Sequence, residues 1–264
     1  MIGKIKSIIG GNPKEVIKLK LRKTFDKNYR FNNTKINLNT KRIYNTPIII
    51  NSMNRLTFLK RQINWLEDCG LSNITIIDNQ STYTPLINYY DKIKYKIIRN
   101  QTNMGYLALW YNKIFKEIRS NHYIYTDSDI VGDDSCPKDF IEYFYECLDK
   151  IKQIDKIGFS LNLNGIDKDL DIEYKIFENE NKFWSKKFQN SEVYDAPIDT
   201  TFALYRPNTY GGYWLKSGRT DHPYTANHLP WFDNKINNDE KIFYEKNIIV
   251  KNSFYQSHRN KSYK

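Results

Sequence analysis

Only three cysteines stand in 264 residues: Cys69, Cys136 and Cys147. An odd, scattered set excludes a disulfide framework and a cysteine-built zinc site, and it fits a reducing compartment. No apolar run is long enough to span a bilayer, and no small-residue cleavage site follows the first apolar residues. Internal repeats are missing. So is a Gly-rich phosphate loop after the first strand, where the chain reads Asn51-Ser52-Met53-Asn54-Arg55. Histidine is scarce, with His122, His222, His228 and His258 the whole supply.

Positive charge is plentiful but confined. Residues 1–42 hold 12 Lys/Arg against 2 Asp/Glu, so they carry +10 of the net +11. The body is therefore near neutral and lacks the basic face of a protein that tracks a phosphate backbone, which argues against specific nucleic-acid binding. Within the leader, Ile2, Ile5, Ile8 and Ile9 recur at helical spacing among lysines. Such a segment is a solvated basic tail or an amphipathic element lying on an anionic membrane. The expectation is a cytoplasmic protein, with peripheral membrane contact through residues 1–42 as the second reading. The sequon Asn79-Gln80-Ser81 also favours a compartment without N-glycosylation, because it falls in the candidate pocket described next.

What the body does have is alternation. Residues 47–50 read as a buried strand, and Leu56, Leu59, Ile63 and Leu66 share one helical face that stops at Gly70. Strands follow at 73–77, 95–98 and 122–125, separated by helical stretches around 86–90 and 107–118. This is the pattern of a mostly parallel central sheet with helices on both faces. The chain divides into a basic extension (1–44), a first half (45–135) and a second half of the same domain (136–264). In such sheets ligands bind beyond the carboxyl ends of the strands. Asn51, Asp78, the segment 100–105, and Asp127-Ser128-Asp129 all fall there.

Asp127 and Asp129 lie two apart just past a strand, so their carboxylates point one way and repel. A hard divalent ion, Mn²⁺ or Mg²⁺, relieves that repulsion and bridges to substrate phosphates. At these residues the sequence resembles the A-type-fold glycosyltransferases of the family 2-like branch. The resemblance runs through residues 47–55, 76–82, 103–105 and 125–129, and more weakly through 199–206 and 228–231. It implies a single Rossmann-like α/β domain of the A-type fold, a nucleotide-sugar donor (a UDP-sugar by default) and a glycan or glycoconjugate acceptor.

The resemblance also implies roles. Asp78 would bind base or ribose, or cap its own loop. Asn51 and Arg55 would line the same pocket, although Arg55 also suits a surface position on the first helical turn. Asn103 and Gly105 would let backbone approach the donor. Asp127 and Ser128 would face the ribose and diphosphate, and Asp129 would be the main metal ligand beside Asp127. His228 is the favoured late histidine ligand, with His222 and His258 as rivals and His122 structural. Asp199 is the candidate base, with Asp195, Asp221 and Asp233 as alternatives. Trp231, Tyr224 and Tyr205 are candidate acceptor platforms. The charged stretch 167–191 reads as a long loop or lid, 239–247 as a helix and 248–250 as a last strand. Two rivals remain: a sugar nucleotidyltransferase and a non-catalytic sugar-binding protein.

Overall fold

The computed structural model describes residues 43–211, 215–232 and 238–247. The basic leader, the strand expected at 248–250, Asp233 and His258 lie outside the described residues.

Four parallel strands form one half of the main sheet: β1 (Ile48–Ser52), β2 (Ile74–Asp78), β3 (Lys96–Arg99) and β4 (Tyr123–Asp127). β1 is central, parallel to β2 on one side and β4 on the other. β9 (Ala203–Tyr205) then runs antiparallel between β4 and β6 (Lys156–Gly158). β10 (Ser217–Arg219) pairs parallel with β6, and β8 (Tyr194–Asp195) closes the edge antiparallel. The order is β3-β2-β1-β4-β9-β6-β10-β8. β5 (Ile130–Gly132), β11 (Thr225–His228) and β7 (Ser160–Leu161) make a second sheet in that order.

Period-two alternation places the core on both faces. Ile48, Ile50, Ile76, Ile124 and Leu204 face α1 (Leu56–Asp68), α2 (Thr84–Tyr90) and α5 (Phe140–Lys150). Ile49, Ile77, Tyr123, Tyr125 and Ala203 face α3 (Ala108–Tyr111) and α4 (Ile114–Ile118) on the other side. Each fully buried Ile or Phe contributes roughly 1.5–3 kcal/mol. The structure is thus the expected α/β layout.

Two local expectations change. The helix read across 107–118 is broken at Asn112, which is extended (φ −87°, ψ 150°). Its Oδ1 accepts from the Ile114 amide at 3.1 Å and its Nδ2 donates to Asn100 Oδ1 at 3.3 Å, so the side chain competes with the helix for local partners. The break lets Trp110 pack across the sheet, and Gly211 closes on it so tightly that a Cβ there would sit 2.1 Å from the ring. The stretch read as a lid is instead largely helical, as α6 (Lys168–Tyr174), α7 (Ile176–Asn181) and a 3₁₀ turn at Lys182–Trp184. Asp167 caps α6 by accepting from the amides of Asp169 and Leu170, and the buried Arg219 pins α7 through Glu180 at 2.8 Å. The last described helix, α8 (Asn238–Asn247), covers the stretch read as helical at 239–247.

Candidate active site

The carboxyl ends of β1 to β4 meet at one sheet edge, in register: Ser52 is opposite Asp78, Asp78 opposite Arg99, and Asn51 opposite Asp127. Each of the first three loops turns on one left-handed residue, Asn54 (φ 55°), Gln80 (φ 69°) and Gly105 (φ 62°). The two non-glycines carry backbone strain of the kind found at functional loops. Asn54 is buried, and its Oδ1 accepts from the amides of Thr82 and Tyr83 at 2.8 and 3.0 Å, tying the first loop to the second. Asn79 ties the second to the third. Its Nδ2 donates to Asn103 Oδ1 (2.8 Å) and Gly105 O (3.1 Å), and its Oδ1 accepts from the Met104 amide (2.7 Å).

The expected donor residues thus converge, with their side chains partly committed to the loops. Asp78 is buried and its Oδ1 accepts from the Ser81 amide at 3.1 Å; of its two roles, this is the loop-capping contact. Burial pushes its carboxyl up, with Ser81 hydrogen bonds and Arg99 pulling against that. Asn103 also accepts from the Gly105 amide at 2.8 Å. A Cβ built on Gly105 would meet nothing within 4 Å, so that loop faces open space. Asn51 donates weakly to Gly105 O at 3.4 Å, and its Oδ1 is buried with no hydrogen-bond partner among the described residues.

Asp127, Ser128 and Asp129 form the turn between β4 and β5. Gln62 of α1 sits beneath it, fully buried, and its Nε2 donates to the carbonyls of Asp127 (2.8 Å) and Ile130 (2.7 Å). The Asp127 carboxylate accepts from the Thr200 hydroxyl, and its amide donates to Thr200 O at 3.0 Å. Asp129 Oδ2 lies 3.5 Å from His228 Nε2, while the Asp129 carbonyl accepts from the Leu229 amide at 2.9 Å. Ser128 is buried between them.

Electrostatics separate the two carboxylates. Burial raises Asp127 well above the usual carboxyl range, and the charges of Asp129 and Asp199 add to that; the Thr200 and Asn51 hydrogen bonds oppose it. Burial also pushes Asp129 up, but its interaction and hydrogen bond with His228, together with Arg55 nearby, outweigh that and hold it below its ordinary value. Asp199 is solvent-exposed at its side chain, with protein packed around its base. That crowding raises its carboxyl against the pull of Lys156 and Arg219.

The late candidates separate spatially. Asp195 lies 3.7 Å from Lys186 and Asp221 2.7 Å from Lys187, so both belong to ion pairs elsewhere. His222 stacks on Trp184 (5.3 Å), and His122 packs on Tyr145 (5.0 Å) in the interior. Trp231 packs edge-on against His228 at 4.7 Å. Tyr224 stacks on Tyr143 at 4.0 Å. Tyr205 is wholly buried against Tyr123, so it offers no platform to an acceptor. Arg55 lies under the ring of Tyr244, 3.7 Å from its centroid. The residues that sequence reasoning missed are Gln62, Asn79, Thr200, Lys156 and Glu240. Gln62 did leave a signal, because it is a polar side chain on the apolar stripe of α1 between Leu59, Ile63 and Leu66.

No protein-family model matches the chain, and no curated protein matches it. Among solved structures, the crystal structure of GalNAc-T7 with UDP, GalNAc and Mn²⁺ is similar at 13% identity, over 62% of this chain and 35% of that one, with a TM-score of 0.40. HddC from Yersinia pseudotuberculosis is similar at 14% identity, over 62% of this chain and 74% of that one, with a TM-score of 0.38. The match spans about a third of the GalNAc-T7 chain. Likeness of this degree assigns no chemistry to the present site.

Proposed function

We propose that the protein is a metal-dependent glycosyltransferase that moves a sugar from a nucleotide-diphosphate sugar, a UDP-sugar first, to a hydroxyl of a glycan or glycoconjugate. One observation carries the reading: Asp127, Asp129, His228 and Asp199 are brought together at the carboxyl edge of four parallel strands, beside three loops tied to one another. That edge is where an α/β sheet binds nucleotides.

Among the described residues no three His, Cys, Asp or Glu side chains form a complete metal cluster. Asp129 and His228 converge, whereas Asp127 is turned to Thr200. Two protein donors still suit an ion that takes the rest of its shell from diphosphate oxygens and water, as such ions commonly do in phosphate sites. The mixed oxygen and nitrogen donors favour Mn²⁺ over Mg²⁺. An ion held by Asp129 and His228 would neutralise the charge gathering on the departing diphosphate.

The chain's own groups would do the rest. The Asn51 Oδ1, buried without a donor, offers an acceptor to a ribose hydroxyl beside Asp127. The open space at Gly105 leaves room for the nucleotide. Arg55, whose charge already acts on Asp129, would face the diphosphate. For an inverting transfer, Asp199 takes the proton of the acceptor hydroxyl as its oxygen bonds to the anomeric carbon and the bond from that carbon to the diphosphate breaks. The raised carboxyl of Asp199 makes it a stronger base than an ordinary carboxylate. A nucleotidyltransferase would need an open phosphate loop after β1; here Asn54 fills that turn with its own side chain. The basic leader would act separately, as a solvated tail or as a peripheral membrane contact.

The test is a thermal-shift screen of UDP-, GDP-, CMP- and dTDP-sugars with and without Mn²⁺, on the wild type and Asp129→Ala. Binding raises apparent stability by mass action. A rise with one nucleotide class that needs Mn²⁺ and vanishes in the variant supports the reading. No rise with any donor, on folded protein, moves the sugar-binding alternative to the front.

A further inference from the structure

Residues 197–200 approach Asp127 without belonging to any strand, so their carbonyls have no ladder partners. Buried cations take that place. Arg219 Nε donates to Pro197 O at 2.8 Å. Lys156 Nζ donates to Ile198 O at 2.7 Å and Asp199 O at 2.9 Å, and it reaches the Tyr205 hydroxyl at 3.2 Å. Three successive carbonyls thus rest on two side chains, Lys156 at 0% and Arg219 at 4% exposure.

The strap alternates. Ile198 and Thr200 point inward and are buried, while Pro197 and Asp199 face outward. Thr200 then grips Asp127 from both sides, its carbonyl on the Asp127 amide and its hydroxyl on the Asp127 carboxylate. A continuous path therefore runs from Lys156 through the backbone of the strap to both Asp199 and Asp127.

A fully buried amine is an expensive way to satisfy two carbonyls, and burial pulls the Lys156 pKa down to about 7. Asn or Gln could donate to both at no cost in charge, as Gln62 does under the neighbouring turn. What the protonated amine adds is stiffness, because charge-assisted bonds are shorter and about twice as strong as neutral ones. Misplacing a reacting group by about 1 Å can cost about a hundredfold in rate, so stiffness here has a use.

We propose that Lys156 is a positioning residue for sugar transfer: it holds the strap 197–200 so that Asp199 faces the acceptor hydroxyl and Thr200 fixes the Asp127 carboxylate. The role rests on the transferase reading above. Lys156 touches neither donor nor acceptor and acts only through the strap.

The test compares full-length wild type, Lys156→Met, Lys156→Gln and Tyr205→Phe. Circular dichroism establishes that each is folded; if Lys156→Met is not, the other two variants carry the test. Amide hydrogen exchange, run without ligand, reads the strap directly. Exchange at the Asp127 amide should quicken about tenfold or more in Lys156→Met, with β1 to β3 unchanged. Release of UDP from UDP-glucose or UDP-N-acetylglucosamine with Mn²⁺ reads the chemistry. In Lys156→Met, kcat should fall about thirtyfold or more while KM stays within about threefold, because ground-state binding is untouched. Lys156→Gln should fall between Met and wild type, since it restores donors without charge, and Tyr205→Phe should lose least. A folded Lys156→Met with near-wild-type kcat, or one whose kcat falls with no quickening at Asp127, overturns the proposal. Active wild type with an equally active variant defeats the positioning role alone; wild type inactive with every UDP-, GDP-, CMP- and dTDP-sugar of the thermal-shift screen overturns the transferase reading and this role with it.

Discussion

Glu240 caps α1 through Thr57, 183 residues earlier: its two carboxylate oxygens each lie 3.1 Å from the Thr57 amide, and one accepts from the Thr57 hydroxyl at 2.7 Å. α1 has no cap of its own, since Arg55 at its N-cap makes no side-chain capping bond and its first turn holds no acid. The distant carboxylate supplies both the missing acceptor and the negative charge that a helix N-terminus favours. The same contact lays α8 against the first loop, where Tyr244 covers Arg55 and Phe243 packs on Tyr83.

Replacing Glu240 by Ala should therefore destabilise the protein by about 2 kcal/mol, the range for losing a charge-assisted bond together with a cap. Glu240→Gln should lose about half of that, because an amide oxygen still accepts. Urea denaturation measures both. A loss under about 0.5 kcal/mol for Glu240→Ala would mean that water caps α1 equally well.

Gln62 should be intolerant in a way that size does not explain. Gln62→Met keeps the volume but strips the donors from two carbonyls of the metal-candidate turn. The expected loss is about 1–3 kcal/mol, the cost of one buried acceptor left unpaired at Ile130, because the Thr126 hydroxyl still donates to Asp127 O at 2.8 Å. Gln62→Glu should cost more, because its charge would face the same carbonyls. Denaturation midpoints at pH 7 decide the order; Glu milder than Met would refute the clamp.

The layout was legible in the sequence because both faces of the sheet are filled by simple alternation. Ile48-Ile49-Ile50 and Tyr123-Ile124-Tyr125 each send neighbours to opposite cores. The carboxyl-edge residues were legible for the same reason, since each follows such a run. What was not legible depends on partners far along the chain. Nothing local says that Lys156 carries the strap of 197–200, that Glu240 caps α1, or that Thr200 holds Asp127, because those pairs are 42 to 183 residues apart. The broken helix at Asn112 was missed because apolar spacing continues through it, from Trp110 to Ile114, while the deciding hydrogen bonds are polar and local.

Gly105 tests the donor loop by a backbone argument. Its φ of 62° is left-handed, and nothing lies within 4 Å of where a Cβ would sit. Gly105→Ala should therefore cost only about 1–2 kcal/mol, from backbone strain alone, and Gly105→Asn less. The effect on a UDP-induced thermal shift should be larger than on the apo melting point, because the new Cβ projects into space assigned to the nucleotide. An unchanged UDP shift in Gly105→Ala would remove this loop from the pocket.

Asp127 should make the metal-free protein less stable at neutral pH than its amide would. Burial first, then Asp129 and Asp199, raise its folded pKa above the unfolded value of 3.8. A group shifted upward stabilises the fold when protonated, and that contribution is lost as pH rises through the folded pKa. Carrying that carboxyl at pH 7.5 thus costs the fold stability, and Asp127→Asn removes the cost while leaving Thr200 an oxygen to bond. The variant should gain roughly 0.5–2 kcal/mol at pH 7.5. The gain should vanish below about pH 4, where Asp127 is protonated in both states. Asp129 runs the other way: held low by His228 and Arg55, it stabilises above its unfolded pKa and loses that as pH falls through its folded pKa. Asp129→Asn should accordingly lose stability at pH 7.5. Opposite signs for two neighbouring carboxylates are what a site prepared for a cation would give, since only the ion relieves Asp127. Mn²⁺ should then raise the melting point of the wild type more than that of Asp127→Asn. If both substitutions destabilise at pH 7.5, the Thr200 bond outweighs the repulsion, and the turn is a structural one that needs no ion.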